Sequence, residues 1–170
     1  MFVKKSETSI IKIDEEIKIV GLNLQGSGMP ITFESLVKMW DRDVYTESHR
    51  EKTKHVTCPV IEYGVCVNSV PDYVVGRGVS SFEGNPKDLY QYVLPAGWYI
   101  KQLFNAEDFD KLVNVELTSG NQTECARKWA QKNSIKILDT ISVEVYPMDA
   151  KAMENPEMYL LFPIQTPTEL

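Results

Sequence analysis

Three neighbouring pieces decide the fold: VIEYGVCVNS at 60–69, a turn at Pro71 and Asp72, and YVVGRGVSSF at 73–82. Two β-rich runs joined by a short Pro/Asp turn read as a hairpin. Upstream, EIKIVGLNLQ at 16–25 reads as a strand, and GSGMP at 26–30 breaks it. Phe33, Leu36, Val37, Trp40 and Val44 then recur on one face of a helix, with Thr32 as its N-cap. The order over residues 16–82 is strand, helix, strand, strand.

Downstream the order repeats, although the residues do not. GWYIKQLF at 97–104 reads as a strand, and residues 106–117 allow a short helix through Phe109, Leu112 and Val113. SGNQTECARKWAQKNS at 119–134 is the stronger helix, with Ser119 as N-cap and Ala126, Trp129 and Ala130 on one side. A strand lies within IKILDTISVEVYPM at 135–148, a loop follows, and MYLLFPI at 158–164 is the last strand. The reading is one α+β domain over residues 1–170. Its half-repeats cover about 16–82 and 90–165, and residues 1–15 form an N-terminal extension. Two such halves pool their strands into a mostly antiparallel sheet with the helices on one face. The groove between the halves is the expected ligand position.

Composition narrows the function classes. The net charge is -6, the wrong sign for direct nucleic-acid binding, which needs clustered Lys and Arg. The basic stretch from His49 to His55 is interrupted by Glu51 and reads as a solvated loop or helix end. The start, MFVKKSETSIIKIDEE, has no apolar run of a secretory signal, and no run is long enough to span a membrane. Cys58, Cys66 and Cys125 are odd in number and unevenly spaced, as expected of free thiols in a reducing cytoplasm. Their spacing gives no metal site, and Gly76-Arg77-Gly78 lacks the rest of a phosphate loop. No cofactor is implied.

Several short motifs, in this order, resemble the GyrI-like effector-binding domains. They are Tyr63-Gly64-Val65, Asp72-Tyr73 with Gly76, Leu94-Pro95-Ala96-Gly97-Trp98-Tyr99, Glu144-Val145-Tyr146, and the closing YLLFPI. The resemblance covers about residues 16–165. It implies the duplicated fold above and a central glutamate among aromatics that meets cationic ligands. Such domains serve AraC-type and MerR-type regulators (the Rob and BmrR type), gyrase-modulating proteins and free-standing proteins, and some relatives hydrolyse electrophiles. The sequence departs from the family in its longer segment 105–118 and in Arg77-Gly78, where relatives often carry an acid. It leaves no room for a helix-turn-helix, so the expectation is a stand-alone form without its own DNA contact.

The residues themselves point to Glu144. With period 2, Ile141, Val143 and Val145 share one face of their strand, and Ser142, Glu144 and Tyr146 the other. The apolar set is expected against the helices, leaving Glu144 and Tyr146 on an open face. On the last strand Met158, Leu160, Phe162 and Ile164 form one set and Tyr159 with Leu161 the other, so Tyr159 is expected to join Glu144 and Tyr146; a tyrosine of the last strand also lines the pocket in the drug-sensing relatives. Tyr63 either lines the groove or packs in the core. Trp98 and Phe104 share a strand face, as pocket wall or as core. Trp40 and Trp129 fall at core spacing. A carboxylate among rings suits an organic cation. It also suits a general base, with a tyrosine as hydrogen-bond donor. Three functions therefore stand side by side: a small-molecule binder, a hydrolase using Glu144, and a partner of gyrase or a regulator. The absence of a second clear catalytic group favours the first.

Overall fold

The computed structural model describes residues 5–40, 47–112, 121–148 and 154–167. Eight strands form one sheet: β1 (Lys5–Ile13), β2 (Ile17–Asn23), β3 (Ile61–Val67), β4 (Asp72–Val79), β5 (Tyr90–Leu94), β6 (Gly97–Asn105), β7 (Ile141–Pro147) and β8 (Glu157–Pro163). Every pairing is antiparallel, and the spatial order is β1-β6-β8-β7-β3-β4-β2-β5. The helices bounded by described residues are α1 (Leu24–Ser27), α2 (Phe33–Trp40), α3 (Glu47–Lys52) and α4 (Asn121–Lys132), and residues 109–112 are helical too, where Phe109 and Leu112 allowed a short helix. This is the α+β, antiparallel architecture that the repeated element order implies.

The order shows the duplication. β6-β8-β7 of the second half mirrors β2-β4-β3 of the first, and the halves meet where β7 pairs with β3. Two strands lie outside the expected unit. Residues 5–13, read as an extension, form β1, and it pairs over its whole length with β6. β5 pairs with β2. The strand that precedes each half thus lines the edge of the other half. Sequence periodicity carries no signal for such an exchange, because either edge accepts an antiparallel partner.

Both faces of the sheet are buried, by different means. On one face, α4 covers β6 and β1 while α1 and α2 cover β4 and its neighbour β2. Ala126 and Ala130 of α4 pack there on Phe104, Met158 and Phe162. On the other face, Ile141, Val143 and Val145 meet Val65, Leu94, Tyr99 and Leu161, with Ile11, Ile13 and Ile17 against them. Side chains from strands at both edges join this one cluster, so the sheet curves around it. This corrects the expected orientation. The apolar set of β7 faces away from the helices, and Glu144 and Tyr146 face them. Alternation separates the two faces of a strand but does not say which one a helix covers when both are buried.

Thr32 caps α2 as read: its Oγ1 accepts from the Ser35 amide at 3.2 Å. The buried seam of α2 is rotated, however. Ser35 and Met39 are buried and Leu36 and Trp40 half-buried, whereas Phe33 is 54% and Val37 46% exposed. Val44, Val113 and Ser119 lie outside the described residues. No helix among the described residues is long and apolar enough to cross a membrane.

Candidate functional site

The floor between the helices consists of β8, β7 and β3, because α4 lies over β6 and α2 over β4. Register fixes which side chains stand on it. Glu144 faces Gly64 of β3 and Leu160 of β8, and Tyr146 faces Glu62. Tyr73 stands opposite Cys66 on the next strand. All of these belong to the helix-covered face.

Glu144 is half-buried at the centre of this floor. Its Oε2 accepts a hydrogen bond from the Tyr73 hydroxyl at 2.8 Å and another from the Tyr146 hydroxyl at 3.0 Å. Trp40 of α2 closes the set. Its Nε1 donates to the Tyr73 hydroxyl oxygen at 2.7 Å, and its ring meets Tyr146 edge-on, 4.6 Å between centroids. The hydrogen bonds therefore run in series from Trp40 through Tyr73 to the carboxylate.

Gly64 makes this convergence fit. A Cβ there would stand 2.3 Å from the Tyr73 hydroxyl and 2.8 Å from Glu144 Oε2. Any larger residue would displace the groups that meet above it. The site is also poor in water. Burial and the Glu144 charge push the Cys66 thiol up to about 12. Burial, then the Glu144 charge, lifts the fully buried Tyr73 hydroxyl well above its ordinary value. Cys66 is thus an unreactive thiol, and Tyr73 a hydrogen-bond donor that keeps its proton.

The expected site residues divide between the two faces. Glu144, Tyr146, Trp98 and Phe104 lie on the helix-covered face, Phe104 as fully buried core and Trp98 partly buried against the same cluster. Tyr159 does not join Glu144. It pairs with Val145 across β7 and β8, and its ring carries Lys101 Nζ at 4.3 Å. Tyr63 also pairs with Val145 and packs on that same opposite face. Burial is the main reason its hydroxyl is pushed up to about 12, with Tyr159 and Cys58 adding to it. The parity within β8 reads correctly from sequence; what fails is the expectation that the apolar set of β7 faces the helices.

Tyr73, Gly64 and Trp40 were missed as members of the site. Tyr73 and Gly64 were visible only as motif letters, and Trp40 only as a helix residue at core spacing. One signal was present. In Glu62-x-Gly64-x-Cys66 the middle residue of one strand face is a glycine, which marks a close approach from above.

A second carboxylate stands on the same floor. Glu62 is fully buried, and its Oε1 accepts from Arg50 Nε of α3 at 2.9 Å and from Arg77 Nε of β4 at 3.0 Å.

No protein-family description matches the chain, and no curated protein matches it in sequence. Solved structures do match in fold. SAV2435 bound to tetraphenylphosphonium superposes with a TM-score of 0.67 at 11% identity, over 94% of each chain. EcmrR, in a DNA complex with RPo, matches with a TM-score of 0.61 at 12% identity, over 95% of this chain and 58% of that one. An integron cassette protein from the mobile metagenome of Vibrio cholerae matches with a TM-score of 0.57 at 13% identity, over 96% and 98%. At these identities the likeness is one of fold.

Proposed function

We propose that this chain is a small-molecule-binding domain of the effector-sensing, GyrI-like kind, and that it takes a lipophilic organic cation against Glu144. The observation that carries the reading is the carboxylate set among three aromatic side chains, with Tyr73 and Tyr146 both donating to Oε2 and Trp40 behind them. Such a frame offers an organic cation a counter-charge together with ring faces, each worth about 0.5–2 kcal/mol. The likeness in fold to SAV2435, a protein solved with tetraphenylphosphonium, supports the same class of ligand. Trp98, at the margin of the same face, is a candidate wall. Tyr63 and Tyr159 belong to the opposite face and are not proposed for this ligand.

The binding reading is preferred to hydrolysis because the sequence offers no second catalytic group of clear identity beside Glu144. Both phenol hydroxyls address Oε2, so a proton taken from water would have to go to Oε1. The net charge of -6 supports action through a ligand or a protein partner, such as a regulator or gyrase, rather than through DNA.

The test is a titration followed by tryptophan fluorescence, since Trp40 belongs to the site. Tetraphenylphosphonium is expected to bind saturably, and uncharged triphenylphosphine oxide at least tenfold more weakly. Equal binding of the two would show that charge plays no part and would refute the reading.

A further inference from the structure

The groove has a positive pole as well as an acidic one. Glu62 stands on β3 two residues before Gly64, and Gly64 faces Glu144. Two residues along a strand span roughly 7 Å. Arg50 and Arg77 both address Glu62 Oε1, so a cationic cluster lies on the order of 7–10 Å from the central carboxylate, on the same face.

The two arginines are used differently. Arg77 is saturated. Its Nε donates to Glu62, one terminal nitrogen to the Arg50 carbonyl at 3.3 Å, and the other to the Pro59 carbonyl at 3.0 Å. Arg50 spends only Nε, on Glu62 at 2.9 Å. Its two terminal nitrogens donate to no described residue, yet only 24% of its side chain is exposed. Arg77 alone matches the charge of Glu62, so Arg50 adds a second, partly buried cation and leaves its two-nitrogen edge unspent. A guanidinium edge fits the two oxygens of a carboxylate or phosphate.

We propose that Arg50 binds an oxyanion of the ligand, so that the natural ligand is amphoteric: a cation held at Glu144 and a carboxylate or phosphate group held at Arg50. This deepens the cation reading above and rests on it. It makes the groove a two-point site that measures the separation of opposite charges.

Three probes test it by calorimetry: 4-(trimethylammoniomethyl)benzoate, its methyl ester and the corresponding phosphonate. They share one cation and differ only at the far end. At least one anionic probe is expected to bind ten times more tightly than the ester, and the tighter one identifies the oxyanion. Arg50→Gln should bring all three within twofold of one another. Arg50→Lys keeps a charge beside Glu62 and loses the paired nitrogens. It should also lose most of the preference, which guards against a folding defect in the first variant. An ester that binds as tightly as both anions, or a preference that survives in both variants, would overturn the proposal. Failure of the underlying cation reading looks different: the ester would then bind Glu144→Gln as well as it binds the parent.

Discussion

Glu62 and Glu144 stand on one face of neighbouring strands, and their surroundings are opposite in kind. Glu62 is fully buried and takes charge-assisted hydrogen bonds from Arg50 and Arg77. Glu144 is half-buried and is addressed by the neutral hydroxyls of Tyr73 and Tyr146. Guanidinium partners fix a carboxylate in place and answer its charge. Phenols fix the geometry and bring no charge of their own. The first arrangement ties α3, β3 and β4 together; the second is the one proposed as a ligand site.

That contrast predicts where substitutions act. The largest effect on stability is expected at Arg77. Replacing it with Met leaves a buried carboxylate short of a partner, at about 3 kcal/mol, the low end for a broken buried pair because Arg50 remains. Urea unfolding would show it, and a loss below 1 kcal/mol would put Glu62 on the same footing as Glu144. Gly64→Ala comes next. The added Cβ meets the Tyr73 hydroxyl and Glu144 Oε2, and overpacking of this kind costs about 1–3 kcal/mol. Ligand affinity should fall together with the melting temperature. Tyr73→Phe removes one hydrogen bond to Glu144 and the acceptor of Trp40 Nε1, for about 1–2 kcal/mol, and should move the Trp40 emission.

The last effect, confined to alkaline solution, is one of pH. Burial raises the hydroxyls of Tyr63 and Tyr99 to about 12 and that of Tyr73 well above its usual value. The unfolded chain loses these protons from about pH 10 upward, while the folded chain still holds them. The stability they contribute is therefore intact below pH 10 and is lost as pH rises toward 12 and beyond. Absorbance of tyrosinate should show these three titrating only as the protein unfolds. Complete titration at pH 10–11 with the fold intact would contradict their burial.

Much of the fold was legible because the duplication is written in the order of elements. Hairpin, breaker and helix recur even though the residues differ. Glu144 and Tyr146 on one face followed from the two-residue period alone. The rest depended on contacts that no local pattern encodes. Tyr73 and Glu144 are 71 residues apart in the chain, and the exchange of β1 and β5 between the halves joins segments that share no periodic signal. Tyr159 was grouped with Glu144 because the apolar set of each strand was expected against the helices; that holds for β8, whose Met158, Leu160 and Phe162 pack with α4, and fails for β7. Trp40 was read as packing because a buried helix residue and a hydrogen-bond donor to a distant tyrosine have the same spacing.

The central claim is that Glu144 answers a ligand's charge while Glu62 serves the fold. Calorimetric titration of tetraphenylphosphonium into the parent and Glu144→Gln tests it most directly. The account predicts a loss of at least tenfold in affinity, about 1.4 kcal/mol, with the melting temperature nearly unchanged. Equal affinity in the two proteins would contradict it.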